Sequence, residues 1–162
     1  MVKKIIIVLG LIFGALSFES CNNACRDKQC INESFCSDGE CLCKKWYSGE
    51  SCELLFNRNF SGTYYGTFNV ENGSRMRTTD SIVVQNDPII PNRLYVEDRY
   101  YFDLENDSSL IIPEQKVYGE DTFTISGDGK HDVNHLELYY TKSYVDGTAS
   151  TEVSFIGDRV EK

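Results

Sequence analysis

The residues of this chain best equipped for chemistry are its seven cysteines, all of which lie between positions 21 and 52. Six of them, Cys25, Cys30, Cys36, Cys41, Cys43 and Cys52, form a C-x4-C-x5-C-x4-C-x-C-x8-C run. Thiols at this density can pair as disulfides or hold zinc, and Cys41-Leu42-Cys43 is spaced to chelate. So short a stretch cannot bury enough apolar surface to offset chain entropy, so it needs cross-links. Six cysteines allow fifteen pairings, and the spacing leaves all of them open. Cys21 is left over, and an odd cysteine in a secreted protein demands its own explanation.

The other reactive side chains nominate no catalyst. His131-Asp132-Val133-Asn134-His135 would place both rings on one face of a helix, where they could share zinc. Its flanks, Gly127-Asp128-Gly129-Lys130 before and Leu136-Glu137-Leu138 after, read instead as a turn entering a strand. There four residues span ~13 Å, so the expectation is solvent-exposed turn histidines and no metal. Glu97, Asp98, Asp103, Glu105 and Asp107 cluster at strand ends and turns, where charge blunts sheet edges. No pattern sets two carboxylates across a cleft as glycoside hydrolysis requires. A Gly-x-Ser-x-Gly elbow and a phosphate-cradling loop are both missing, and six paired cysteines leave no thiol nucleophile. A non-catalytic protein without a cofactor is expected. Tyr64-Tyr65, Tyr100-Tyr101 and Tyr139-Tyr140 each present one ring outward in a strand. Tyr65, Tyr101 and Tyr139 are the candidate ligand contacts, a platform for sugar or peptide; the alternative is cross-strand pairs that only stabilise the sheet.

The N-terminus sets the compartment. Lys3 and Lys4 precede an apolar run from Ile5 to Phe18, too short for the ~20 residues of a comfortable span and suited to a secretory signal. Export permits disulfides, which favours oxidised pairs over a zinc site for the six cysteines. Phe18-Glu19-Ser20-Cys21 resembles a lipoprotein box, in which a small residue precedes a cysteine that becomes the acylated N-terminus. Cleavage after Ala15-Leu16-Ser17 is the alternative, and it would leave Cys21 as an exposed free thiol. Lipidation accounts for both the position and the oddness of Cys21. The expected plan is a signal over 1–20 and a lipidated, palmitate-bearing start over 21–24. The expected location is the cell envelope, on the outer membrane of a Gram-negative bacterium. A formal charge of −9 with no basic stripe excludes nucleic acid as a partner.

The run over 25–52 resembles the EGF-like domain, most clearly in Cys41-Leu42-Cys43 followed by Tyr47, Gly49 and Cys52. That resemblance implies Cys25–Cys36, Cys30–Cys41 and Cys43–Cys52 as the disulfides. Calcium-binding members carry carboxylates just before the first cysteine; Asn22-Asn23-Ala24 stands there, so no calcium site is expected. A compact spacer or interaction knob is the implied role.

Beyond a linker over 53–59, residues 60–162 read as all-β. Phe60 to Val70 alternates with period two, and Asn72-Gly73 supplies a turn. Further strands are expected over Asp80–Val84, Arg93–Glu97, Tyr100–Leu104, Leu110–Ile112, Thr122–Ser126, Leu136–Tyr140 and Ser150–Ile156. Gly127-Asp128-Gly129 is among the breakers between them. About eight short strands indicate an antiparallel barrel or sandwich. Phe60-x-Gly62-x-Tyr64, Leu110-Ile111-Ile112-Pro113-Glu114-Gln115 and a closing Val153-x-Phe155 resemble small lipocalin-like (calycin-type) barrels. The inward set is expected to be Phe60, Tyr64, Phe68, Ile82, Val84, Leu94, Val96, Phe102, Leu104, Phe123, Ile125, Leu136, Leu138, Val153 and Phe155. So many rings in an eight-stranded barrel leave little room inside, which places any ligand at a mouth or on the outer face. The functional expectation is a membrane-anchored protein that binds a small molecule, glycan or envelope protein. The alternative is a structural or adhesive envelope component, and a hydrolase comes last.

Overall fold

The computed structural model describes residues 24–119, 121–145, 147 and 149–160. The expected signal segment and the expected lipidation site, Cys21, lie outside the described residues. The chain divides into two compact units, residues 24–44 with 49–53, and residues 45–48 with 54–160.

In the first unit disulfides join Cys25 to Cys36, Cys30 to Cys41 and Cys43 to Cys52, across sequence separations of 11, 11 and 9. Loops of this length are worth about 3 kcal/mol each by loss of chain entropy in the unfolded state. β1 (Phe35–Ser37) and β2 (Glu40–Leu42) form the one hairpin among this unit's described residues. Its turn residues Asp38 and Gly39 have φ of 51° and 88°, the left-handed pair that an Asp-Gly hairpin turn requires.

The second unit opens with β3 (Tyr47–Ser48) paired to β4 (Leu54–Leu55). A 3-10 helix, Phe56–Phe60, leads into β5 (Gly62–Glu71), β6 (Arg75–Asn86), β7 (Arg93–Val96) and β8 (Tyr100–Leu104). β9 (Ser109–Val117), β10 (Phe123–His131), β11 (His135–Tyr144) and β12 (Ser150–Arg159) follow. Each strand from β5 onward pairs antiparallel with the next, and β12 returns to β5, closing an eight-stranded up-and-down barrel. Closure decides between barrel and sandwich, and it gives nearly every strand two neighbours.

The alternation read from sequence is the barrel's inside and outside. Of the expected inward residues, Phe68 and Phe123 are half-buried and the others are buried. Leu110, Ile112 and Val117 of β9 are also buried and extend that set. Val117 departs from the alternation set by Leu110 and Ile112 because β9 carries a bulge. Ile112 faces Gly127 and Gln115 faces Ile125, so two residues, Pro113 and Glu114, stand against the single Ser126. A proline has no N–H for the ladder, and a bulge is where a sheet accepts one. The side chain of Gln115 repairs the adjoining gap: its Oε1 accepts from Tyr101 N at 3.0 Å and its Nε2 donates to Tyr101 O at 2.7 Å.

Two expectations need correction. Gly127-Asp128-Gly129 is not a breaker but the middle of β10. A Cβ on Gly127 would lie 2.0 Å from Tyr139 O and one on Gly129 2.1 Å from Glu137 O, so the glycines let β11 approach closely. Within 53–59, expected as linker, residues from Phe56 onward form the 3-10 helix and plug one end of the barrel. Phe60 packs edge-on to His131 at 4.7 Å, and Phe56 lies 5.2 Å from Phe60. The fully buried Asn57 side chain donates to Asp87 O, Ile90 O and Arg93 O at 2.8–3.0 Å. Tyr64 Oη donates to Phe60 O at 2.9 Å, and Arg159 donates to Asn59 O at 2.9 Å and to Ser61 O.

Candidate functional site

The end of the barrel opposite this plug is open. β7 and β8 are the shortest barrel strands, and the corner between them is tight: Glu97 and Asp98 both sit at positive φ, 51° and 56°. The wall is low there. Inward rows of the longer strands continue past the core and line a cavity of about 270 Å³ at the mouth. Phe68, Ile82, Val96, Val117, Phe123 and Ile125 make its apolar wall.

Tyr100 and Tyr140 face each other at the floor, ring centroids 5.9 Å apart. Burial holds the Tyr100 hydroxyl well above the ordinary phenol range, and the same cause raises Tyr140. Both phenols are therefore neutral across the physiological range; their hydroxyls hydrogen-bond each other, which leaves one O–H free to donate and both oxygens able to accept. The rim carries Asp80, Glu97, Arg99 and Lys142. Lys142 follows Leu136, Leu138 and Tyr140 on the inward row of β11, opposite Ile125 of β10. Its ammonium lies 4.0 Å from the Phe123 ring centroid and 4.6 Å from that of Tyr144, in cation–π range. Neither Lys142 nor Arg99 forms an ion pair among the described residues. The arrangement can hold a compact apolar body, donate a hydrogen bond from below and meet an anion at the rim. It offers no nucleophile activated by a base.

The three tyrosines expected to contact a ligand are not brought together. Tyr65 and Tyr139 are exposed on the outer face with β12 between their strands, and Tyr101 stands three strands from either. Tyr101 is half-buried under the Arg93 guanidinium, 3.8 Å from its ring centroid, while Arg93 grips Asp103 at 2.8 and 3.0 Å. Its role is cross-strand packing. Tyr139 donates to Glu137 Oε2 at 3.0 Å and borders an outer-face groove of about 370 Å³ with Asn69, Glu71, Asp128, Glu152 and Ser154. That groove is shallow and polar, and it lacks the apolar wall of the mouth.

The histidines also part company. His135 is at the surface, Nδ1 2.7 Å from Asp158 Oδ1 and Nε2 3.4 Å from Glu137 Oε1, and the Asp158 contact raises its pKa. His131 was expected in solvent but is buried inside the plug, its Nε2 3.0 Å from Asn106 O, and burial lowers its pKa. The signal lay in β10, whose odd-numbered row of Phe123, Ile125, Gly127 and Gly129 points inward and ends on His131. The floor tyrosines were legible in the same way, as the inward partners of Tyr101 and Tyr139. Arg99 and Lys142 carried no sequence signal, because their place on the rim depends on how far each strand outruns its neighbour.

No family model matches the chain, and no curated protein or solved structure is significantly similar to it.

Proposed function

We propose that this protein is an exported, lipid-anchored binding protein. In this reading a disulfide-bonded EGF-like module carries a lipocalin-like barrel that holds a small amphipathic molecule at its mouth. The observation that supports binding most directly is the asymmetry of the barrel. One end is filled by Phe56, Asn57 and Phe60, and the other keeps an apolar-walled cavity of about 270 Å³ with two neutral phenols at its floor. A cavity near 300 Å³ is the lower end for ligand sites and suits a compact molecule. An apolar or aromatic body fits the wall, a hydrogen-bonding group fits Tyr100 and Tyr140, and an anionic group fits Arg99 and Lys142.

The anchor rests on Phe18-Glu19-Ser20-Cys21 and on the seventh cysteine. The EGF-like reading rests on the cysteine spacing and on the first-to-third, second-to-fourth, fifth-to-sixth connectivity. The lipocalin-like reading rests on the closed meander of eight strands. Phe60-x-Gly62-x-Tyr64 at the start of the first barrel strand adds to it, although the Gly-x-Trp of that family is absent.

Native mass spectrometry of the protein purified from its own host tests the binding reading. A small mass retained by the wild type and lost from the Tyr100→Phe, Tyr140→Phe double variant is expected. Recovery with a stoichiometric partner protein and no small molecule would overturn it in favour of an envelope structural component. The anchor is tested by radiolabelled palmitate, which is expected in the wild type and not in Cys21→Ser. Label in that variant, or a mature N-terminus at Phe18, defeats the lipid assignment.

A further inference from the structure

Closure of the barrel is incomplete along one strand. β6 runs from Arg75 to Asn86 and pairs with β5 over its first ten residues, Arg75 to Val84. On its other side it meets β7 only at Val84, Gln85 and Asn86. Residues 75–81 are exposed without exception, and no described strand covers that edge. The direction of the backbone groups follows from the ladder. Glu97 N donates to Val83 O, so Val83 aims its backbone away from β5. N–H and C=O point the same way within a residue and alternate between residues. Arg75, Arg77 and Thr79 therefore present unpaired N–H and C=O groups and Ser81 an unpaired C=O, its N–H donating to Asp80 Oδ1 at 2.7 Å, while Met76, Thr78, Asp80 and Ile82 are bonded to β5.

An open strand edge is a template for another strand. We propose that an extended segment of a partner protein adds to β6 here, and that its sequence is acidic at alternate positions. The charge distribution chooses the occupant. In a chain of net charge −9 this edge carries Arg75 and Arg77 on its outward face; Arg75 is paired with Glu71 of β5, and Arg77 has no ion pair among the described residues. A second copy fits badly. Antiparallel pairing about a two-fold axis centred on Arg77 sets arginine against arginine. Centred on Thr78, it places Thr79 and Ser81 opposite Arg77 and Arg75 and offers them no carboxylate. An incoming strand with glutamate or aspartate opposite Arg77 satisfies the same backbone groups and neutralises that guanidinium. This inference does not rest on a ligand in the mouth cavity, although Asp80 and Ser81 also border that cavity, and it can fail without it.

The test uses the full chain and a blocked synthetic peptide alternating glutamate with valine. Amide hydrogen exchange is expected to show Arg75, Arg77 and Thr79 fast in the free protein and slowed at least tenfold by the peptide. Met76, Thr78 and Asp80 are expected to be slow throughout. Thr79→Pro removes only an edge-facing N–H, so it should abolish peptide binding while the β5–β6 amides stay protected. Arg77→Gln, or the peptide with glutamine for glutamate, should weaken binding at least tenfold. Absence of binding, binding that leaves those three amides fast, or equal binding by Thr79→Pro each overturns the proposal. Protection of the same amides that rises with protein concentration alone would overturn it in favour of a self-paired edge.

Discussion

His131 and His135 show how one sequence motif divides into opposite chemistry once the turn is formed. Burial lowers the pKa of His131, while contacts with Asp158 and Glu137 raise that of His135, both starting from 6.5. The chain has only these two histidines, so their ring-proton NMR titrations should resolve one midpoint on each side of 6.5. The stability consequences have opposite sign. As pH falls through 6.5 the unfolded chain binds a proton at position 131 that the folded barrel refuses, so that stabilising contribution is lost toward acid. His135 binds its proton more tightly when folded, so its contribution is present below 6.5 and lost as pH rises through the higher folded value. His135→Gln should therefore lack the stability that His135 adds as pH falls through its raised folded value toward 6.5, so its melting temperature should drop relative to wild type over that interval, and a constant difference there would contradict this account. At the same plug, Asn57 holds three carbonyls with one amide group. Asn57→Ala should cost at least ~2 kcal/mol in urea unfolding, since buried carbonyls left without donors lose about 1–3 kcal/mol each.

Among the elements, β9 is the one whose length sequence reasoning underestimated most consequentially. Pro113 looks like the end of a strand, yet the bulge against Ser126 lets the strand continue to Val117 and reverses which residues face inward. Gln115 makes this workable by presenting an amide to the Tyr101 backbone in place of a main-chain partner. Gln115→Ala should therefore release the Tyr101 amide, with faster hydrogen exchange there and a loss of about 1–2 kcal/mol overall. If the Tyr101 amide stays protected in that variant, the side chain is not the bridge. β10 teaches a related lesson. Glycines inside an alternating pattern read as turns, but here they mark where two backbones must approach within reach of a missing Cβ. Gly127→Ala should destabilise the barrel by at least about 1–3 kcal/mol, the usual range for overpacking.

At the scale of the molecule, no cysteine lies beyond Cys52, so the barrel strands carry no disulfide, although residues 45–48 inside the Cys43–Cys52 loop belong to the barrel's unit. Reduction should remove the hydrogen-exchange protection of the β1–β2 hairpin while leaving the barrel's far-ultraviolet circular dichroism and its melting transition in place. Melting of the barrel on reduction would show that its stability depends on the disulfides. The sequence by itself determined the all-β class, the staple-bearing module and nearly the whole inward row. Those features follow from local causes: side chains alternate across a strand, and a short cysteine-rich stretch cannot fold on apolar burial alone. Pro113 and the glycines of β10 misled because bulges and close approaches depend on the neighbouring strand. Tyr65, Tyr101 and Tyr139 could be recognised as outward-facing, yet whether outward residues meet depends on strand order and register around the barrel. The open mouth, the cations on its rim and the bare edge of β6 were decided by tertiary structure alone. Each arises where one strand outruns the next, a difference in length between neighbours that no single stretch of sequence contains.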